Sequence, residues 1–462
     1  MTSYDLIVIG AGPAGYPTAA CGVRQGLKTL LIESGPLGGA CLNRGCIPTK
    51  TFCRSAEAAL EAARAGEFGV DIPAGTITID MPRIVERKNQ IVAQLREAVA
   101  AVVNGADVKT GMARFISPSE VEADGETFTA PKIIVATGAR PAMLPIPGAE
   151  LCVTSDHLLD TTALPSSMAV IGGGVIGIEF ASVYAALGCE VTVIEYCKEI
   201  LPGFDRDIAK RLRSSLSKRG VKFILSAAAT AVEENGDGSL KVRYEAKNKP
   251  GETDVEKVLM AVGRKAVIPE GLPEAGAATT PKGITVDDNF QTTIPGVYAV
   301  GDCNGICQLA HAATAQARRV MGVDTDLSPI PAAVFTVPEA ASAGLTEEQA
   351  EAQGISPLRV VKLPFRANGK ALTQGEADGM VKMVVSGDRI LGCHILGPHA
   401  SDLIMEVSLA ISAGLPVSAV TRAIHPHPTR GSSDVETPQR QHGAEGSVER
   451  RAQNTLTDSI CE

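Results

Sequence analysis

Asp5-Leu6-Ile7-Val8-Ile9-Gly10-Ala11-Gly12-Pro13-Ala14-Gly15 stands almost at the start of the 462-residue chain. The apolar run to Ile9 fits a strand buried on both faces, and the glycines fall where such a strand turns into a helix. Gly10 allows the tight turn, Gly12 lets the backbone approach a pyrophosphate, and Gly15 lets the helix pack on the sheet. The helix N-terminus adds positive potential. Tyr16 to Gln25 has helical character, and Leu27 to Glu33 reads as a second strand. Glu33, 23 residues after Gly10, stands where an acid accepts hydrogen bonds from a ribose. Strand, glycines, helix, strand and terminal acid in that order predict a βαβ unit that binds a dinucleotide.

The pattern recurs about 160 residues later. Ser167 to Ile171 leads into Gly172-Gly173-Gly174-Val175-Ile176-Gly177, a helix through Leu187 and a strand from Glu190 to Glu195, again with the acid 23 residues after the first glycine. Gly172, Gly174 and Gly177 repeat the roles of Gly10, Gly12 and Gly15. A protein that holds two dinucleotides is most simply an electron-transfer enzyme. Between the repeats a helix is expected over Ile84–Val103, and Lys132 to Ala136 forms a strand closed by Thr137 and Gly138. Val297 to Val300 is another strand, ending in Gly301-Asp302, at the carboxyl edge of a sheet where ligands collect. From about Pro331 alternating strands and loops precede a helix near Ser401 to Ala413. The expected fold is α/β, with two doubly wound dinucleotide-binding domains and a C-terminal α+β domain. The expected boundaries are 1–147 with 270–330 for the first dinucleotide, 148–269 for the second, and 331–462 for the last domain.

Composition narrows the function. Apolar residues make up 45% of the chain and charged residues 21%, and the net charge is −9 with no basic block, which argues against a nucleic-acid or membrane binder. Aromatics are only 3% and tryptophan is absent, so base stacking has little to build on. The most apolar window, Met168 to Ala186, carries four glycines and Glu179 and is not expected to span a bilayer. No secretory signal is visible, and eleven scattered cysteines do not make an extracellular disulfide framework. A cytoplasmic protein is expected.

The sharpest local signal is Gly38-Gly39-Ala40-Cys41-Leu42-Asn43-Arg44-Gly45-Cys46-Ile47-Pro48-Thr49-Lys50. Cys41 and Cys46 are five apart, a spacing that a distorted helical turn closes into a disulfide. Beside a flavin such a pair is a two-electron relay whose reactivity depends on an electropositive setting. On spacing alone, two unrelated cysteines in a glycine turn fit as well.

The order of motifs decides between these readings. Gly10 to Gly15, Cys41 to Lys50, Ala136-Thr137-Gly138, the second glycine motif with Glu179, Gly263-Arg264, Gly301-Asp302 and His427-Pro428-Thr429 together resemble the flavoprotein disulfide reductases. Thr336 to Glu339, Pro364 to Ala371, Leu309-Ala310-His311 and Ile200 to Asp205 resemble the branch that oxidises dihydrolipoyl groups. The resemblance implies a homodimer with FAD on the first motif and NAD on the second. Cys46 would be the thiol next to the flavin and Cys41 the one that exchanges with substrate. Lys50 and Glu179 would pair near the reactive edge of the ring, Asp302 would hold the ribityl chain, and Ala310 and Gly263 would line the cofactor sites. Glu195 would take the ribose of NAD, and Tyr196-Cys197 supplies no arginine for a 2′-phosphate. The partner implied is a lipoyl-carrying protein, or a small dithiol or disulfide. A related NAD(P)H-dependent reductase of another disulfide or of a metal ion is the alternative.

The same resemblance makes His427 the base that reaches the other subunit's thiols, with His425 as its neighbour. The glutamate expected five residues later is Ser432, and the nearest acids are Asp434 and Glu436. Residues 431–462 are polar without apolar periodicity, and Cys461 stands near their end. Cys303, Cys307 and His311 are spaced to line one helical face as metal ligands, but the resemblance places them against the flavin, and no metal site is expected. Cys21, Cys53, Cys152, Cys189, Cys197 and Cys393 read as small buried apolar residues.

Overall fold

The computed structural model describes residues 1–73 and 75–431. The chain divides into two units, one made of Met1–Ile330 with Val334–Val337, the other of Pro331–Ala333 with the chain from Pro338 onward. The main helices of the first unit are α1 (Gly15–Arg24), α2 (Gly39–Arg44), α3 (Cys46–Ala63), α4 (Met81–Val102), α5 (Val175–Ala186), α6 (Arg206–Lys218) and α7 (Ala310–Val320).

Two parallel sheets organise this unit. The first has five strands in the order Val297–Ala299, Lys132–Val135, Leu6–Ile9, Thr29–Glu33 and Asp107–Thr110, paired in parallel with Ile9 opposite both Ile32 and Val135. Alternate residues divide between two cores, as a pleated strand requires. Ile7, Ile9, Leu30, Ile32, Ile133 and Val135 pack on one face. Leu6, Val8, Leu31 and Ile134 pack on the other, with Ala19 of α1 and Ala313 and Ala317 of α7. Burial on both faces is why these strands are continuous apolar runs. The second sheet runs Lys222–Leu225, Glu190–Glu195, Ser167–Ile171, Lys257–Met260, again parallel throughout. An antiparallel meander of Ala227–Glu234, Leu240–Ala246 and Lys249–Val255 shares its core.

The expected helix over Ile84–Val103 begins earlier, at Met81, because the Asp80 side chain accepts the Arg83 N–H at 3.0 Å and Pro82 sits in the first turn. The second unit holds a five-stranded sheet in the order Ala332–Val334, Glu339–Gly344, Arg389–Gly397, Met380–Ser386, Arg359–Pro364, antiparallel across its last four strands. Helix α8 (Ala400–Ser412) closes its core through Ala400, Ile404 and Val407, and α9 (Val417–Arg422) adds Val417 and Val420. This is the α+β domain expected at the C-terminus.

Candidate active site

Parallel strands place their carboxyl ends on one edge, and the first sheet gathers its loops there. Gly10 follows Ile9 with φ +99°, and a Cβ at this position would strike the Ala136 carbonyl. Gly15 is equally constrained, since a Cβ there would overlap the Gly10 carbonyl oxygen. These two contacts let α1 start directly over the turn. Glu33, at the end of its strand, accepts the Ala11 N–H at 2.6 Å and the Gly35 N–H at 2.8 Å. Thr137 and Gly138 extend the next strand, with Thr137 Oγ1 donating to the Val267 carbonyl at 2.5 Å. Asp302 lies in the short helical turn Gly301–Asn304. The turn is tied to α7 by the Gly301 N–H on Gln316 Oε1 at 2.8 Å, and Thr314 of α7 donates to the Pro13 carbonyl at 2.8 Å. Burial raises the Asp302 pKa against the lowering effect of Arg264, whose Nε is 3.9 Å away.

The second sheet repeats the cradle. Gly172 has φ +109° and abuts the Ala261 carbonyl as Gly10 abuts Ala136, and Gly177 abuts Gly172 as Gly15 abuts Gly10. Glu195 accepts N–H bonds from Gly173 and, at 2.5 Å, from Cys197. Each glutamate is therefore aimed back at its own glycine turn by the same two-residue bracket, and Gly174 caps α5 as the chain enters it.

Cys41 and Cys46 stand on either side of a helix break, with Gly45 between α2 and α3 at φ −139° and ψ −110°. The expected distorted turn is thus two helices, and Cys46 opens the longer one, where the unpaired N–H groups favour a thiolate. Both are free thiols, half-buried. The hydrogen bond between them divides the pair. Held by the Cys41 thiol and helped by the Lys50 charge, against burial, Cys46 is lowered to about 7. Its negative partner and burial push Cys41 far up.

Lys50 lies one turn after Cys46 on the same face of α3. Its Nζ donates to both Glu179 oxygens, at 3.0 and 2.9 Å. Glu179 is the lone charge of the apolar helix α5 and is only 4% exposed, so Lys50 is its counter-ion. Burial acts against the lysine charge, but the carboxylate outweighs it and the Lys50 pKa is raised.

The histidines lie in the second unit, in the loop after α9. His427 is exposed. His425 is held, with Nε2 2.7 Å from Glu406 Oε1 on α8 and Nδ1 3.0 Å from the Ala423 carbonyl. Ser432, Asp434, Glu436, Cys461 and the rest of the polar tail beyond Gly431 lie outside the described residues.

Cys303, Cys307 and His311 do not share a helix face: Cys303 is fully buried in a short turn, Cys307 is in a loop, and His311 is on the first turn of α7. Among the described residues no cluster of His, Cys, Asp or Glu could hold a metal ion. Cys53, Cys152, Cys189 and Cys393 are buried as expected, but Cys21 and Cys197 are only half-buried. Phe335 was missed: its N–H donates to Glu179 Oε1 at 2.9 Å and its ring lies 4.3 Å from Lys50 Nζ. The available signal was its place just before Thr336-Val337-Pro338-Glu339.

Comparison with known proteins places this geometry. Residues 4–317 match the family described as pyridine nucleotide-disulphide oxidoreductase, and residues 330–437 match its dimerisation domain. The chain belongs to the pyridine nucleotide-disulphide oxidoreductases. Two relatives are dihydrolipoyl dehydrogenases: one from Chlamydia muridarum, 40% identical over 92% of this chain and 94% of that protein, and one from Thermus scotoductus, 39% identical over 96% and 98%. Among solved structures, the copper(II) complex of the HOCl-induced flavoprotein disulfide reductase RclA from Escherichia coli superposes with a TM-score of 0.85 at 30% identity, covering 96% of this chain and all of that one. Pyridine nucleotide-disulphide oxidoreductases of this kind are FAD-dependent and NAD(H)-linked enzymes, and the two cradles fit those groups. Each has a glycine turn that admits no side chain and a carboxylate bracketed beside that turn. Among the described residues of this oxidoreductase, no helix is long and apolar enough to cross a membrane.

Proposed function

We propose that the protein is a dihydrolipoyl dehydrogenase, oxidising protein-bound dihydrolipoyl groups and reducing NAD⁺ to NADH. The observation that carries the reading is the placement of the thiol pair: Cys41 lies in α2, Cys46 opens α3 across the break at Gly45, and Lys50, held by Glu179, follows one turn after Cys46. A disulfide between them opens in the sense this requires. One substrate thiolate attacks the Cys41 sulfur, the Cys41–Cys46 bond breaks, and Cys46 leaves as the more stable thiolate. The second substrate thiolate then attacks its own mixed-disulfide sulfur, closing the lipoyl ring and releasing Cys41. His427 of a second copy takes the substrate proton.

The Gly10 cradle with Asp302 would hold FAD, which when bound would supply two-electron transfer between the thiol pair and NAD⁺. Lys50 holds positive charge beside that route, and Glu179 keeps it there. On the Gly172 cradle, the Glu195 carboxylate suits ribose hydroxyls and repels a 2′-phosphate, which selects NAD over NADP. The same proposal assigns 1–147 with 270–330 to FAD, 148–269 to NAD and 331–462 to the homodimer interface. Thr137, Gly138, Gly263 and Ala310 line the cofactor sites, a lipoyl-carrying protein is the partner, and the location is cytoplasmic.

A second reading, reduction of another disulfide or of a metal ion by NAD(P)H, is favoured by the likeness to RclA and by Ser432 where the family resemblance sets a glutamate. Steady-state rates with dihydrolipoamide and NAD⁺, compared with NADH plus glutathione disulfide or copper(II), test the two. Dihydrolipoamide oxidation exceeding the others by about two orders of magnitude is expected, and faster reduction of another acceptor would overturn the proposal.

A further inference from the structure

The segment Val334–Val337 packs with the first unit, although its flanks belong to the second. It is fastened on both sides of the Lys50–Glu179 pair. From α5, Glu179 Oε1 accepts the Phe335 N–H at 2.9 Å and Ser182 Oγ accepts the Val337 N–H at 3.3 Å. From α3, the Cys53 thiol donates to the Phe335 carbonyl at 3.3 Å. The Arg219 guanidinium donates to the Val337 carbonyl. With the backbone pinned in this way, the Phe335 ring is set against the lysine ammonium, whose nitrogen is 4.3 Å from the ring centroid.

We propose that Phe335 is a positioning residue for the thiol chemistry: its ring holds the Lys50 ammonium beside Cys46 and limits the water that reaches it. Both oxygens of Glu179, itself 5% exposed, hold one side of the cation, and the Phe335 ring lies against another at 4.3 Å. An aromatic face attracts a cation through its quadrupole and excludes water at the same time. A cation that is held in place and partly dehydrated exerts a stronger field on a neighbouring thiolate than a mobile, hydrated one.

The groups that bear on Cys46 are Cys41 by hydrogen bond, Lys50 from one turn along α3 and Glu179 from α5. Cys53 faces Lys50, and Tyr16 faces Cys41. Phe335 is uncharged, so its influence on Cys46 must pass through Lys50. Cys53 and Glu179 hold the strap from opposite helices, which makes the ring's place a property of the α3–α5 packing.

The test is the pH titration of the Cys46 thiolate in the reduced holoenzyme, read as thiolate ultraviolet absorbance in difference from Cys46→Ser. It needs no lipoyl substrate, so a failure of the dehydrogenase reading leaves it intact. Phe335→Leu and Phe335→Met, the latter unbranched and more adaptable in packing, both keep the backbone bonds and remove the ring. In each, the fraction of Cys46 ionised at pH 7 is expected to fall about two- to threefold. Phe335→Tyr is expected to restore the wild-type curve, and Lys50→Met to shift it further than either. Far-UV circular dichroism and flavin retention select the folded variants, and Phe335→Met stands in if Phe335→Leu does not fold. An unchanged titration in a folded ring-less variant, alongside a shifted one in Lys50→Met, would overturn the proposal. So would a Phe335→Tyr curve that matches Phe335→Leu.

Discussion

The thiol pair and the histidine loop are required together by the proposed chemistry, yet they are held in opposite ways. Around Cys46 the charged neighbours Lys50 and Glu179 are themselves fixed, Lys50 by both oxygens of Glu179 and Glu179 by the Phe335 N–H. Around His427 the fixing is indirect. The ring is exposed, and the loop is anchored on either side of it, by His425 on Glu406 before and by Asn368 Nδ2 on the Thr429 carbonyl, at 3.0 Å, after. Arg430, bonded to Glu376, adds a further tie on the same side. The difference teaches that the electrostatics of the thiols are built into one unit's packing, whereas within a single chain the proposed proton acceptor is placed by the anchors of its loop.

Breaking the thiol side gives the largest effect. Cys46→Ser removes the leaving thiolate, and dihydrolipoamide turnover is expected to fall by at least about 10³-fold. Bound flavin and its reduction by NADH are expected to survive, as seen by visible absorbance. Turnover within tenfold of wild type would show that the pair is not the relay. On the other side, His427→Gln is expected to lower dithiol-linked kcat by about 10²-fold with NADH-driven flavin reduction unchanged. If the loss is below about threefold, the base is another group and the comparison fails at its weaker member.

Lys50→Met sharpens the account of the first region by separating stability from chemistry. It leaves Glu179, 4% exposed, without its counter-ion, and a loss of about 3 kcal/mol is expected in chemical denaturation. The double variant Lys50→Met with Glu179→Met is expected to recover most of that stability but none of the thiol reactivity. Recovery of both would assign the lysine a purely structural role.

The pH dependence follows from the lowered Cys46 pKa of about 7, against an ordinary thiol near 9. Because the shift is downward, the thiolate is the minor form at pH 6 and the major form at pH 8. The Cys46 thiolate absorbance of the reduced protein is expected to rise with a midpoint near 7 and to level off well before Cys41, shifted upward, ionises. A midpoint near 9 would remove the electrostatic distinction between the two thiols.

How legible these regions were in sequence tracks how local their determinants are. Gly10, Gly15 and Glu33 lie within one βαβ unit, so spacing placed them, as it did Gly172, Gly177 and Glu195, although the carbonyls that bar a side chain at Gly10 and Gly172 come from the distant Ala136 and Ala261. Cys41, Cys46 and Lys50 lie within ten residues, yet the break at Gly45 that makes Cys46 a helix start is a backbone angle that spacing does not encode. Glu179 was reached through resemblance, since nothing local says that a lone acid in an apolar helix will meet a lysine 129 positions away. Phe335 was missed for the same reason, because its role lies in a contact between distant segments. The spacing of Cys303, Cys307 and His311, from which no metal site was expected, does not make a shared helical face because it crosses a turn and a loop that are not one helix. The start of α4 shifted because Asp80 caps it, a signal weaker than the apolar period.

The smallest expected effect probes the weaker region directly. Both ring nitrogens of His425 face acceptors, the Glu406 carboxylate and the Ala423 carbonyl, an arrangement satisfied in full when both nitrogens carry protons. The pair therefore clamps the loop to α8 and leaves no free nitrogen to act as a base. Glu406 has 41% side-chain exposure, so screening limits the pair to about 1 kcal/mol or less. Glu406→Gln keeps an acceptor oxygen and removes the charge. Dithiol-linked kcat is expected to fall about two- to fivefold, with little change in KM or in NADH-driven flavin reduction. Raising the salt concentration is expected to diminish the wild-type advantage, because an exposed ion pair is screened while a buried one is not. A Glu406→Gln loss as large as that of His427→Gln would mean that the clamp, rather than the exposed ring, governs proton transfer, and the contrast between a packed and a surface-held half would then disappear.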